Sequence, residues 1–148
     1  MTFLSLRHFC RDDCDVLSRT FYPGATNESI LAMIEEWNSL THNGSYFEMF
    51  AVQTESGLAG RVSLYENEEN GVSLGVDIIP EFRRQSIAFA AVMEALRHAR
   101  TCGYRQAIAM ARKNNIPSLN LCKKLGFTCA GETVTSKGAE VYLFRFDL

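Results

Sequence analysis

The sequence predicts an α/β (α+β) domain: one mixed, mostly antiparallel central sheet of about seven strands with about four flanking helices. Three observations predict it. The apolar pattern switches period along the chain in the order β-α-α-β-β-β-α-β-α-β-β. The three consecutive central strands are joined by turns short enough to demand an antiparallel meander. No linker, repeat or low-complexity stretch divides the 148 residues, so they read as a single domain, 1–148.

Taken in order, FLSLRH (3–8) alternates apolar and polar residues and reads as a first strand. Asp12 is placed to cap a short helix with Asp15 in its first turn and Leu17 and Phe21 on its buried face; Pro23 and Gly24 end it. Ile30, Met33, Ile34, Trp37 and Leu40 form one helical stripe, capped by Thr26 or Asn27, with Glu28 against the helix dipole. The loop at His42 to Gly44 ends that helix. SYFEMFAVQT (45–54), LAGRVSLYEN (58–67) and GVSLGVDII (71–79) follow as the meander. From Ser86 the period is helical again, with Phe89, Val92, Met93 and Leu96 as the core face and Glu94, Arg97 and Arg100 outward. RQAIAMA (105–111) is a buried strand. IPSLNLCKKLG (116–126) is a short helix with Pro117 in its first turn, Lys123 and Lys124 in its last, and Gly126 past its end. Phe127 to Thr135 and Glu140 to Phe146 are the closing strands.

Composition narrows the function. A chain of this length buries roughly 70% of its unfolded surface and needs neither disulfide nor metal to fold. The net charge of -2 speaks against a nucleic-acid partner, which would show as a basic excess. No apolar run reaches membrane-spanning length, so no membrane partner is expected and the chain reads as cytoplasmic. A homodimer stays open. Of the five cysteines, Cys10 and Cys14 lie one helical turn apart, but His8 is the sole nearby third ligand; they read as reduced thiols, and no metal is expected.

The stretch PEFRRQSIAFAA (80–91) carries the chemistry. A helix begins there, and a helix start offers unpaired N–H groups and partial positive charge to an anion. Ser86 and Ala88 keep the backbone approachable, and Arg83 and Arg84 add charge. A phosphate-bearing ligand fits. There is neither a GxxxxGK[ST] loop nor a GxGxxG after the first strand, so the familiar nucleotide loops are excluded.

IIPEFRRQSIAFAAVMEAL (78–96) resembles motif A of the GNAT family of N-acetyltransferases, V-x-P-x-x-R-G-x-G-hydrophobic-G/A, through Ile78, Pro80, Arg83 and Ala88. NIPSLNLCKKLGF (115–127) resembles the family's motif B through Asn115, Ser118, Leu121, Lys124, Gly126 and Phe127. The element order extends the resemblance over the whole chain. It implies acetyl-CoA as cosubstrate and transfer of its acetyl group to an amine, on a small molecule or a peptide, by direct attack in a ternary complex. It places the pantetheine arm on the strand backbone at Ile78, with thioester polarisation by N–H groups at Ile78 and Ile79. It places the pyrophosphate on the amides of Arg84, Gln85, Ser86, Ile87 and Ala88, with Arg83 opening the loop. Asn115 and Ser118 would meet the arm from the other side.

The chain departs from the pattern in three places. Arg84 and Ser86 stand where motif A has glycines. Serine at 86 either costs energy at a positive φ or fits because the site needs only room; the second reading is preferred here. Cys122 stands where motif B carries the tyrosine that protonates the leaving thiolate, so Cys122 is the candidate acid, with a small packed thiol as the alternative. The base is open. Val72, Leu74, Val76 and Ile78 share one strand face, and Asp77, of opposite parity, needs a bulge to reach a cleft there. Tyr46, Glu48, Glu66 or a water remain. The acceptor is expected between the first two helices and the meander, where Trp37, Tyr46, Phe47 and Tyr65 would form an aromatic wall and Glu28, Glu35, Glu36 and Glu48 would favour a cation. The broken pattern also motivates a different function, a coenzyme-A-binding regulatory module without transfer activity.

Overall fold

A computed structural model describes residues 4–67, 70–83 and 86–148. Its sheet has eight strands: β1 (Leu4–Arg7), β2 (Thr41–His42), β3 (Ser45–Thr54), β4 (Gly57–Glu66), β5 (Gly71–Ile78), β6 (Gln106–Arg112), β7 (Thr128–Val134) and β8 (Glu140–Asp147). Their order is β1-β3-β4-β5-β6-β8-β7, with the two-residue β2 added alongside β3. β5 and β6 are parallel and all other pairs are antiparallel. The four helices are α1 (Cys14–Arg19), α2 (Asn27–Asn38), α3 (Ile87–Thr101) and α4 (Ile116–Leu125).

Side-chain parity builds two cores. Phe50, Val52, Val62, Leu64, Val72 and Ile78 face α3 and α4, while Met49, Ala51 and Leu58 face α1 and α2. β3 therefore buries both of its faces, which explains its long apolar run.

Several expectations shift. β2 forms where the sequence predicts only the end of the second helix at His42 to Gly44; two residues give no period to detect. α1 starts at Cys14 and Asp12 stays exposed; the buried carboxylate is Asp13, which receives Arg7 Nη1 and Nη2 at 2.8 and 2.9 Å and the Cys10 N–H at 2.8 Å. Burial would raise the Asp13 carboxyl, but the hydrogen bonds from Arg7 and Cys10 outweigh it and hold it below its ordinary value. Thr26 caps α2 by accepting the Ser29 N–H at 3.2 Å. Leu40 lies past the helix end at φ 61° and is exposed, outside the stripe of Ile30, Ile34 and Trp37. On α3 the buried stripe is Ile87, Ala91, Val92, Ala95, Leu96 and Ala99; Phe89 is half-buried and Met93 exposed. Three buried positions of this face, Ala91, Ala95 and Ala99, are alanines, which lets α3 lie close to the sheet.

The parallel pair positions the site. β5 and β6 are paired only from Gly71–Gln106 to Leu74–Ala109. Beyond that point β5 stays with β4 as far as Ile78, and β6 stays with β8 as far as Arg112. The two strands part, and a gap opens in the middle of the sheet.

A candidate coenzyme A cleft and acetyl-transfer slot

A cleft of about 630 Å³ runs along the gap on the helical side, lined by Val76 to Ile78, Phe82 and Arg83, the start of α3 and the start of α4. Continuous with it, a slot of about 210 Å³ passes between β5 and β6. Its lining mixes residues of both sheet faces. Leu74, Val76, Ala109 and Ala111 belong to the α4 side, whereas Gly75, Asp77 and Met110 belong to the opposite side. The slot therefore sits in the seam between the two strands, with residues of both faces at its walls.

Ladder parity shows what the slot's β5 edge offers. The Ile79 N–H donates to Ala59 C=O at 2.8 Å, and the Asn67 N–H donates to Gly71 C=O at 2.9 Å. In an antiparallel ladder the residues that bond a given neighbour alternate. The odd residues of β5 thus bond β4, and Val76 and Ile78 turn their amides toward the gap, where β6 has already left. Ile78 C=O accepts Arg83 Nε at 3.1 Å. The Ile78 N–H is aimed as expected; the Ile79 N–H is committed to β4 and cannot polarise a thioester. That is a correction, caused by the ladder's alternation.

At the cleft's far end, Ser86 caps α3 in the left-handed region, φ 61° and ψ 16°. The positive φ is real, so the preferred reading of Ser86 as needing only room is overturned. Ala90 N–H bonds back to Ser86 C=O, while the N–H groups of Ile87, Ala88 and Phe89 precede the first intrahelical bond. Ile87 is buried, and Ala88 lines the cleft. Arg84 and Gln85 lie outside the described residues. Arg83 has its N–H on Pro80 C=O and its Nε on Ile78, so it fastens the loop to β5. Lys124 sits over the Phe89 ring at 4.9 Å, and both line the cleft. Neither was singled out beforehand for this role, because their meeting depends on how α3 packs on α4.

Across the cleft, Asn115 caps α4 by accepting the Ser118 N–H on Oδ1 at 3.2 Å, and both side chains line the wall. Cys122, 7% exposed, lines the slot one turn further on. Burial pushes its thiol up, so it is protonated at neutral pH. Asp77 lines both spaces although β5 carries no bulge. It needs none, because β6 has left β5 at this point and the strand edge itself borders the slot. Cys122 and Asp77 are the two titratable side chains of the slot's described lining.

The other residues considered for base or acceptor wall lie elsewhere. Glu48 is buried on the α3 side, receiving His8 Nε2 at 2.6 Å, His98 Nε2 at 2.9 Å and the Tyr46 hydroxyl. Tyr46 thus faces away from the acceptor side, and Glu66 accepts the Tyr104 hydroxyl at 2.8 Å. Trp37 is core, packed between Phe9 and Tyr22. Phe47 and Tyr65 do meet, joined by His42 rather than by Trp37 and Tyr46. Among the described residues, no group of three His, Cys, Asp or Glu is placed to hold a metal ion. No helix there is long and apolar enough to cross a membrane.

A splayed parallel pair, a helix start turned toward the cleft, and free strand amides beside a slot suit an acyl carrier with a pyrophosphate and a long amide-bearing arm. The residues fit coenzyme A. A sequence profile of the acetyltransferase (GNAT) domain matches residues 4–128, and the chain belongs to that family. It is an acetyl-CoA-dependent N-acetyltransferase that transfers an acetyl group to an amine. A search of curated protein sequences finds no match. Solved structures share the fold. The ribosomal L7/L12 alpha-N-protein acetyltransferase RimL with coenzyme A is 16% identical, with a TM-score of 0.85 over 100% of this chain and 96% of that one. The spermidine N-acetyltransferase of Vibrio cholerae with coenzyme A and spermine is 19% identical, with a TM-score of 0.75 over 97% and 95%. The microcin C7 self-immunity acetyltransferase with acetyl-CoA and AMP is 12% identical, with a TM-score of 0.82 over 98% and 92%.

Proposed function

We propose that the transfer takes place in the slot, between acetyl-CoA entering from the helical side and a primary amine entering from the opposite face. The observation that supports this is that residues of both sheet faces line the slot, Asp77 and Cys122 among them. RimL and the spermidine enzyme are described as acting on a protein α-amine and a polyamine, which supports an amine acceptor here. The first-turn amides of α3 hold the pyrophosphate, and Asn115, Ser118 and the β5 edge hold the arm. The Ile78 N–H meets the thioester carbonyl, where a donor aimed at developing charge lowers the barrier by about 3 kcal/mol. Asp77, 60% exposed at its side chain, holds the incoming ammonium and passes its proton to solvent. The protonated Cys122 thiol donates to the departing thiolate and is re-protonated from solvent; burial raises it above the ordinary alkyl thiol, at about 8.5, which keeps it in the acid form and makes the transfer mildly uphill. The reaction is placed in the cytoplasm.

The test is thiol release from acetyl-CoA with a panel of amines. Cys122→Ala is expected to lower kcat about tenfold or more with KM for acetyl-CoA unchanged, and Cys122→Tyr to recover part of the loss. An unchanged kcat in a folded Cys122→Ala protein removes Cys122 from the chemistry and leaves it as packing.

A further inference from the structure

On the face opposite α3 and α4, cross-strand pairing lays out three rows beside the slot: Arg61 with Asp77, Ser63 with Gly75, and Tyr65 with Ser73. The middle row is a low floor. Gly75 is exposed, and a Cβ on it would meet Ser63 Oγ at 2.9 Å. The first row is charged and tightly held. Arg61 Nε donates to Asp77 Oδ2 at 3.3 Å, and Nη1 donates to the Tyr22 hydroxyl. The guanidinium lies over the Phe21 ring at 4.4 Å and the Tyr22 ring at 5.2 Å. Its side chain is only 21% exposed. Nη2 has no hydrogen-bond partner among the described residues.

A surface ion pair between two mobile side chains would contribute little and recognise nothing. This pair differs, because two aromatic rings and a phenol fix the arginine's plane beside the slot. An arginine held this way offers its remaining N–H groups in a preset fork to an oxyanion.

We infer that the acceptor is a zwitterion, an amine with a carboxylate one or two carbons away, as in a free α-amino acid, and that Arg61 is the residue that selects it. The inference rests on the transfer site proposed above. Asp77 Oδ1 takes the ammonium and Arg61 Nη2 takes the carboxylate. Each charge then has an opposite neighbour, and no net charge enters a half-buried site. A polyamine brings a second cation toward Arg61 and gains no partner there. Amidation leaves the guanidinium edge a neutral carbonyl in place of a carboxylate, and loss of the opposite charge lowers kcat/KM tenfold or more.

The experiment compares free amino acids, their amides and spermidine as acceptors, on the parent and on Arg61→Met, Arg61→Lys and Tyr22→Phe. Acetyl-CoA binding by calorimetry is measured on all four as the control for folding and for the cofactor site. Expected is a kcat/KM at least tenfold higher for the free acid than for its amide in the parent. Arg61→Met erases that ratio, while Arg61→Lys and Tyr22→Phe reduce it; cofactor binding persists in all. Amides or spermidine matching the free acids overturn the inference, as does a ratio that survives Arg61→Met. If acetyl-CoA binds and no free acid accelerates thiol release, the zwitterion inference falls and the cofactor site stands. If acetyl-CoA does not bind, both fall.

Discussion

Ser86 holds φ 61° at the turn into α3, a conformation that costs a residue with a Cβ about 1 kcal/mol relative to glycine. It makes no side-chain cap bond in return. Ser86→Gly is therefore expected to raise stability by about that amount, read as a higher urea midpoint at unchanged slope, with coenzyme A affinity equal or improved. Ser86→Leu keeps the strain and adds bulk where a diphosphate must touch the backbone, so its affinity falls tenfold or more by calorimetry. A Ser86→Leu protein that binds as the parent does would displace the diphosphate from the α3 start. The residue scale is also where sequence reading reached furthest. Pro80, Arg83, Ala88, Asn115 and Ser118 lie in two short segments whose local order carries their role. Ser86 does stand at the start of α3, where the periodicity predicts a helix, but its positive φ is not legible, because a single serine does not declare its φ.

At the scale of elements, Glu48 ties three of them together: its own strand β3, β1 through His8, and α3 through His98. Burial alone would raise its carboxyl, but the bonds from Tyr46, His8 and His98 prevail and hold it below the ordinary value. Tyr46 is pushed up by burial and by that same carboxylate, and the nearby Cys102 thiol by burial and the Glu48 charge. The sign follows from linkage. A carboxyl depressed in the folded state contributes stability above its unfolded pKa, near 4.3, and that contribution is lost as pH falls through the folded value. Glu48→Gln is expected to cost about 1–3 kcal/mol at pH 7, since Tyr46, His8 and His98 lose a charged acceptor that is itself buried. The cost should begin to shrink as pH falls through about 4.3 and disappear only below the lowered folded value, where the parent has itself become neutral. A pH-independent difference in urea unfolding would assign the loss to packing instead. This cluster and the Arg61–Asp77–Tyr22 clamp were not legible beforehand. Their members lie far apart in the chain and meet through strand register, which no local pattern encodes. Asp77 was considered and set aside on parity, a sound rule for a continuous sheet that fails where a sheet is open.

At the scale of the molecule, the chain folds as two leaves. β1 to β5 form one, and β6 to β8 form the other; four residue pairs of β5 and β6 join them, with α3 and α4 bridging across. A ligand lying in the gap contacts both leaves and binds only the folded chain. Acetyl-CoA is thus expected to raise Tm, with about 2.7 kcal/mol of stabilisation at a hundredfold excess over Kd. The overall architecture was legible from the alternation of periods. The width of the opening was not, because it depends on where β5 and β6 stop pairing.

That brief pairing makes the protein a reporter of its own occupancy. Val76 and Ile78 carry strand amides that no neighbouring strand protects on the gap side. Hydrogen exchange there should run orders of magnitude faster than at Val62 or Leu64 in the free protein, and slow once the acyl carrier's arm lies alongside. The fold has left out one rung of its ladder for the substrate to complete, so the backbone itself distinguishes the empty enzyme from the loaded one.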